Sequence, residues 1–524
     1  MKYIQGQNRK QITLFPVSLD AAIDGNNEVR LIDLFVESLN PEKLGFNLAQ
    51  IENGRPSYHP KDLLKLFIYG YLNRIRSSRE LEKECKRNIE LMWLMKGLAP
   101  DHNTIANFRK DNSQAIKRVF RSTVSLAKQF DLIGGSLLAG DSTKLRAQNS
   151  KKNNFNEKKI ERHLEYIEKK LEEYNIQLSQ ADGDKQQEEI KKEIEKHTRR
   201  KENYDEISRE LQTSGVVQVS TSDPESRQMI TRNNITEVAY NVQTTVDAKH
   251  NLPIDFLVTN DNDSKAMGGM LRRAKSILGH NRFTALYDKG YHTGGEFAIA
   301  TSLGIETMVA VPAVAANAPN LAYNVEHFCY EPSGDFYVCP QGSELHTNGT
   351  WYESKSAPFK QYKTPDCKTC VVRELCTKSE KNGKIVQRNK YTELIEANKA
   401  RIEQNQNYYR RRQAIVEHPY GTIKRQWGFS YVMTKKYKTR ATADIGFIFI
   451  AYNLRRIVNI IGQNTLKTWL TQLLVYFHGI FGLQLPLTMR YKPHKYFTVK
   501  PPIFQHHILI SLIFGGNCGS LVGF

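Results

Sequence analysis

Three acidic residues in this sequence sit where phosphoryl chemistry needs carboxylates. Asp141 ends the apolar run Leu137-Leu138-Ala139-Gly140, and Asp288 ends Phe283-Thr284-Ala285-Leu286-Tyr287. Glu417 lies on a long, polar, basic helix that begins near Tyr391. Carboxylates at strand ends and on a neighbouring helix can converge on divalent cations. Two such ions about 3.5–4 Å apart would activate a water or a 3′-hydroxyl and stabilise the leaving oxygen. Spacing alone does not single out these three among 55 acids, because a strand-end Asp commonly caps the next helix. Asp247 is a rival, but it falls in a turn between two strands, where Asp is favoured for local reasons.

The second chemical signal is a cysteine cluster, Cys339-x27-Cys367-x2-Cys370-x5-Cys376. A Cys-x2-Cys knuckle closed by two further thiolates suits tetrahedral zinc, and with no open position the ion would be structural. Nothing else in the chain suggests redox work, which disfavours an iron–sulfur cluster. Cys85, Cys329 and Cys518 read as packing residues, and His418 as a helix-surface histidine.

The elements that must hold these groups are legible in the periodicity. Leu63, Leu64, Phe67, Ile68, Tyr71 and Leu72 recur at helical spacing after Pro60, a favoured first residue of a helix. Ser77 with Glu80 forms a capping-box signature for a second helix running through Met92. The pattern breaks at Ala99-Pro100-Asp101 and restarts at Thr104, so residues 61–125 read as helical. Ile160, Leu164, Ile167, Leu171, Tyr174 and Leu178 make a heptad seam, which Ile190, Ile194, Tyr204, Ile207 and Leu211 continue beyond a turn at Asp182-Gly183. Residues 150–212 therefore read as an antiparallel helical hairpin inserted into another domain. From Ala239 the period becomes that of strands, at 239–246 and 252–258. A helix over 267–278, a strand ending at Asp288, a helix near Glu296 and a strand over 308–311 complete a mixed α/β pattern.

Composition bounds the remaining choices. The chain has 524 residues, 75 Lys+Arg against 55 Asp+Glu, a net charge of +20 and 40% hydrophobic residues. At about 150 residues per domain, roughly three units are expected. That much apolar sequence excludes wholesale disorder. The longest apolar runs fall short of the ~18–20 residues of a bilayer span, and residues 1–20 lack the apolar segment of a secretory signal. Seven cysteines are too few for a disulfide scaffold, so a reducing cytoplasm is expected. Residues 381–440 carry 15 Lys+Arg and four acids, and residues 74–121 carry 12 and six. Two separated basic blocks favour a phosphate backbone as partner. The short N-terminal helices suit a helix-turn-helix-like DNA reader or a bundle with a solvated basic face. Residues 465–524 contain no acid and ten aromatics, and read as an atypical tail.

The local sequences around the acids carry a resemblance. They are Leu138-Ala139-Gly140-Asp141-Ser142-Thr143-Lys144, Tyr240–Asp247 as Tyr-Asn-Val-Gln-Thr-Thr-Val-Asp, and Ala285-Leu286-Tyr287-Asp288-Lys289-Gly290-Tyr291. With them stand Thr221-Ser222-Asp223-Pro224-Glu225-Ser226-Arg227, Val416-Glu417-His418-Pro419-Tyr420-Gly421-Thr422-Ile423-Lys424, and the block from Gly54-Arg55-Pro56 to Phe108-Arg109-Lys110. Together, and in this order over roughly residues 30–464, they resemble bacterial insertion-sequence transposases of the DDE class.

The resemblance implies a helical N-terminal DNA-binding domain over 1–135 and an RNase H-like catalytic domain over 136–464. The latter would be interrupted by the hairpin (150–212) and a zinc-ribbon-like Cys-rich insertion (329–385), and followed by the tail. It implies Asp141, Asp288 and Glu417 as holders of Mg²⁺ or Mn²⁺, and Lys424 as a contact to the element's terminal phosphate, with Arg410, Arg411, Arg412 and Arg425 beside it on DNA. It implies binding of terminal inverted repeats, DNA cleavage and strand transfer, by a homodimer or larger assembly. A catalytically inactive DNA-binding descendant and a nonspecific nuclease are the alternatives. The family pattern is Tyr-x2-Arg-x3-Glu-x6-Lys. Here the Tyr slot holds Arg410 and the Arg slot Gln413, with Tyr409 and Arg412 each one place away.

Overall fold

The computed structural model describes residues 18–48, 57–231, 235–354, 356–379 and 381–481. Gly54-Arg55-Pro56 and most of the tail lie outside these residues. Six helices come first: α1 (Glu28–Glu37), α2 (Pro60–Leu72), α3 (Ser78–Arg87), α4 (Ile89–Leu94), α5 (His102–Asp111) and α6 (Ser113–Gln129). Pro60 opens α2 as expected, and Asp101 caps α5 through the Asn103 and Thr104 amides. Ser77 occupies the cap position of α3 without a side-chain cap bond. The helix expected to run through Met92 stops at Asn88, whose side chain accepts from the Glu90 amide and starts α4 instead.

The chain then enters β1 (Leu137–Arg146), a short β2 (Asn154–Phe155), and the long helices α7 (Glu157–Gln180) and α8 (Asp184–Ser214). These two pack against each other as a helical hairpin. Ile160, Ile167, Ile207 and Leu211 are buried between the arms, and Lys201 pairs with Glu168 across them at 2.9 Å. β3 (Val219–Ser220) closes the base by pairing with β2. Next come β4 (Arg227–Ile230), β5 (Thr236–Asp247), β6 (Leu252–Thr259), α9 (Met267–Leu278), β7 (Thr284–Tyr287), α10 (Gly294–Ser302) and β8 (Glu306–Val309).

The main sheet runs β6-β5-β1-β7-β8, with β4 also pairing with β5. β6, β5 and β1 are antiparallel neighbours, whereas β1, β7 and β8 are parallel. β1 continues well past the apolar run, because Asp141 to Arg146 are paired with Thr244 to Ala239 of β5. Asp141 therefore stands in mid-strand, not at the strand end read from the sequence.

Between β8 and the next long helix lies the Cys-rich insertion. It contains β9 (Cys329–Glu331), β10 (Phe336–Val338), β11 (Glu344–His346), β12 (Phe359–Tyr362), α11 (Arg373–Cys376) and β13 (Val386–Asn389). The single basic helix expected from Tyr391 is two, α12 (Thr392–Gln404) and α13 (Gln406–Tyr420), divided at Asn405. A π-helical turn over Gly421–Gln426 extends α13, and α14 (Lys438–Ile461) and α15 (Gln463–Phe481) follow.

One face of the sheet, with Leu138, Tyr240, Val242 and Phe256, packs on α14 and joins a core shared with the N-terminal helices. The other, with Leu137, Ala139, Val246 and Leu286, is covered by Ile415 and Val416 of α13. The N-terminal helices are locked to α14 by a buried ionic cluster. Asp444 accepts from Arg76 at 2.6 Å, from the Tyr71 hydroxyl and from the Met433 amide at 2.9 Å, with Arg109 3.5 Å away. Burial would raise the Asp444 pKa, but the two guanidiniums outweigh it and hold the carboxyl low. The acid-free stretch begins inside α15, where Leu466 and Leu470 are buried and Lys467 bonds the Gly25 carbonyl at 2.6 Å. No single helix among the described residues is long and apolar enough to cross a membrane.

Candidate active site

Side chains alternate along a strand, so Asp141 shares the face of Leu137 and Ala139, the face turned to α13. The β1–β7 register pairs Ala139 with Leu286, and two residues further along the parallel strands stand Asp141 and Asp288. The two carboxylates are thus neighbours at the centre of the sheet. Gly140 makes this close approach feasible, since a Cβ there would meet the Tyr287 ring at 2.0 Å. Asp288 opens a 3-10 turn and accepts from the Gly290 amide at 2.9 Å.

Asp141 accepts from the Ser142 amide at 2.7 Å and from Arg412 Nη1 at 3.2 Å. Burial pushes its carboxyl up to about 6; Arg412 and the Ser142 amide oppose the rise, and Asp288 adds to it.

α13 crosses over this pair. Tyr409, Arg412, Val416 and Tyr420 recur at three- and four-residue intervals and line one helix face. The Tyr409 hydroxyl donates to the Tyr287 carbonyl at 2.9 Å, and the Tyr420 hydroxyl to the Asp141 carbonyl at 3.1 Å. Beyond the π-helical turn, Lys424 Nζ donates to Thr143 Oγ1 at 2.9 Å. Arg410, Arg411, Gln413, Glu417 and Arg425 are exposed. Glu417 accepts from Gln413 Nε2 at 2.8 Å and is not drawn in beside the two aspartates. No three His, Cys, Asp or Glu side chains among the described residues are gathered so as to hold a metal ion.

Sequence reasoning missed Asp263, which follows β6. It accepts from Asn241 at 2.8 Å and Gln243 at 2.6 Å, and pairs with Lys144 at 3.3 Å. Lys144 in turn bonds Ser142 Oγ at 3.0 Å, tying this carboxylate to the residue beside Asp141. Only the strand alternation of Asn241, Gln243, Ser142 and Lys144 hinted at such a polar patch. Asp247 is buried and accepts from the Gly134, Gly135 and Lys249 amides, a loop-holding role. Asp223 is likewise buried, under the Tyr240 hydroxyl at 2.6 Å, while Arg227 bonds backbone carbonyls nearby.

In the insertion, Cys339, Cys367, Cys370 and Cys376 line one small cavity of about 30 Å³. Burial, with the neighbouring thiols adding to it, raises the Cys376 pKa. His418 lies against α14, with Nδ1 2.7 Å from the Tyr452 hydroxyl, so it is a packing histidine and not a solvent-facing one.

Comparison with known proteins bears on two stretches. Residues 17–111 match a family model described as Transposase domain (DUF772), and residues 338–458 match Transposase DDE domain. No curated protein matches the sequence. A cryo-EM structure of a piggyBac transposase synaptic complex with hairpin DNA aligns over 94% of this chain and 85% of its own. Its identity is 8% and its TM-score 0.27, too low a likeness to inform the site. The second matched stretch contains the four cysteines, α12, α13 and Lys424, so the chain carries a transposase-domain match followed by a DDE transposase-domain match, the pairing of a DDE-type transposase.

Proposed function

We propose that this transposase binds the terminal inverted repeats of an insertion sequence and catalyses metal-dependent cleavage and strand transfer of its DNA. The observation that carries the reading is the placement of Asp141 and Asp288 side by side, under a helix that brings Arg412 and Lys424 to the same strand. Two neighbouring carboxylates, one of them half-buried against a guanidinium, are a donor set that fits Mg²⁺ or Mn²⁺. Bound there, such an ion would activate the attacking oxygen and stabilise the leaving one. Glu417 completes the set by leaving Gln413 and turning inward.

Lys424 and Arg412, with the exposed Arg410, Arg411 and Arg425, position DNA phosphates. We read the β6-β5-β1-β7-β8 sheet as the RNase H-like core. The exposed Arg74, Arg79, Lys83 and Lys96 of the N-terminal helices supply further phosphate contacts. Arg76 and Arg109 do not, being committed to Asp444. The four thiols that line one cavity are the donor set a structural Zn²⁺ would take by drawing them together. Pairing of two element ends calls for a homodimer or larger assembly, acting in the cytoplasm.

Cleavage of a labelled duplex carrying the repeats that flank the reading frame tests this. Wild type should cut at the element boundary with Mg²⁺, and both EDTA and Asp288→Ala should abolish the cut. Binding without any cut would mark an inactive DNA-binding descendant. Cutting without end preference would mark a nonspecific nuclease.

A further inference from the structure

The ion pairs of this protein differ in how tightly they are made. Asp444 is fully buried and gathers three donors besides Arg109, and Asp255, 1% exposed, holds Arg121 at 2.6 Å and Arg273 at 2.5 Å. Both carboxylates are saturated and sealed, although Arg121 and Arg273 keep 29% and 28% of their own surface in solvent. The Asp141 carboxylate is neither. Arg412 reaches Asp141 through one contact of 3.2 Å, and the two side chains keep 18% and 21% of their surface in solvent. The carboxylate's other protein donor is the adjacent Ser142 amide.

Charge counting makes this looser pair informative. Two neighbouring carboxylates, Asp141 and Asp288, face one guanidinium. A divalent cation placed between the aspartates would neutralise them by itself and would repel a guanidinium left on the same oxygen. The helix need not move for Arg412 to leave. Tyr409 and Tyr420 anchor α13 to the Tyr287 and Asp141 carbonyls on either side of it. The long Arg side chain can swing to the outer surface, where Arg410 and Arg411 already stand.

We propose that Arg412 is the resident counter-cation of the Asp141–Asp288 pair in the metal-free protein, and competes with the divalent cation for Asp141. The inference rests on the reading of these aspartates as metal holders. It makes Arg412 a positioning residue with two posts: on the carboxylate when the ion is absent, and outward, toward DNA phosphate, when the ion is bound. Metal loading and release of a phosphate-binding arginine thereby become one event.

The test is Mn²⁺ binding to the full-length protein without DNA, followed by the electron paramagnetic resonance signal of free Mn²⁺. Arg412→Gln should bind about tenfold more tightly than wild type, the effect of removing one adjacent like charge. Arg412→Lys, which keeps the charge, should stay near wild type. The metal-free melting temperature of Arg412→Gln should fall below that of wild type, and Mn²⁺ should close the gap. Equal or weaker Mn²⁺ binding by a folded Arg412→Gln would overturn the competition. Asp141→Asn separates the two claims: if it binds Mn²⁺ like wild type, the metal reading itself fails, whatever Arg412 does.

Discussion

The N-terminal helices and the Cys-rich insertion both lie outside the main sheet, yet they are fastened by different means. Phe67, Tyr71, Ile116 and Phe120 of the helices enter the same core as Phe256 and Phe447, and the Asp444 cluster ties them to α14. The insertion has a small core of its own, Phe328, Tyr337, Leu345, Tyr362 and Val386, beside the four thiols. Its main polar hub is Asp335, which accepts from Tyr330 at 2.9 Å, Tyr362 at 2.6 Å and Lys360 at 2.8 Å. A region sharing a large core unfolds with the whole, whereas one with a small private core can open by itself. The N-terminal helices thus share the core of the main sheet, while the insertion is built on a core of its own.

The largest effect should come from breaking the shared lock. Asp444→Ala leaves two buried guanidiniums without their carboxylate, at a cost of about 3–5 kcal/mol. Urea unfolding followed by intrinsic fluorescence should keep a single transition at lower urea. Separate melting of the helices would break the comparison. A middle-sized effect belongs to the thiols. Zinc chelation, or Cys367→Ser with Cys370→Ser, should expose residues 329–385 to proteolysis and remove one zinc per chain, while the main urea transition stays in place. An unchanged digest, or no zinc in the wild-type protein, would count against the metal as the insertion's staple.

The smallest effect is local and pH-dependent. The hydrogen bonds from Lys360, Tyr362 and Tyr330, against a modest burial cost, hold the Asp335 carboxyl down to about 2. Because this pKa is depressed, the hub's contribution is full above the ordinary value of 3.8 and is lost as pH falls through about 2. Tyrosine fluorescence of the insertion should change across that interval, and Asp335→Asn should flatten the change.

What the sequence disclosed was mostly periodic. The heptads of α7 and α8, the bounds of α9 and the strands β5 and β6 follow from local pattern, because each element buries a repeating face. What escaped was set by distant partners or single polar side chains. β1 outran its apolar run because β5 pairs with its polar half. Asn88 and the break at Asn405 divided helices whose composition gave no warning. Arg76 and Arg109, counted in a basic block, are buried because Asp444, more than 300 residues away, lies between them. At the site, Asp141 falls inside β1 instead of at its end, Asp288 follows β7, Glu417 is exposed, and Asp263 carried no motif.

The π-helical turn after α13 keeps count of a residue. Against the family pattern, Tyr409-x2-Arg412 has the expected interval and Glu417-x6-Lys424 has the expected interval, but four residues separate Arg412 from Glu417 where three belong. In an α-helix one surplus residue turns everything after it by about 100°. Glu417, ahead of the π turn, bears that rotation and faces outward. The wider turn over Gly421–Gln426 carries Lys424 onto Thr143. On either side of Glu417, which stands exposed, Arg412 and Lys424 thus both reach β1.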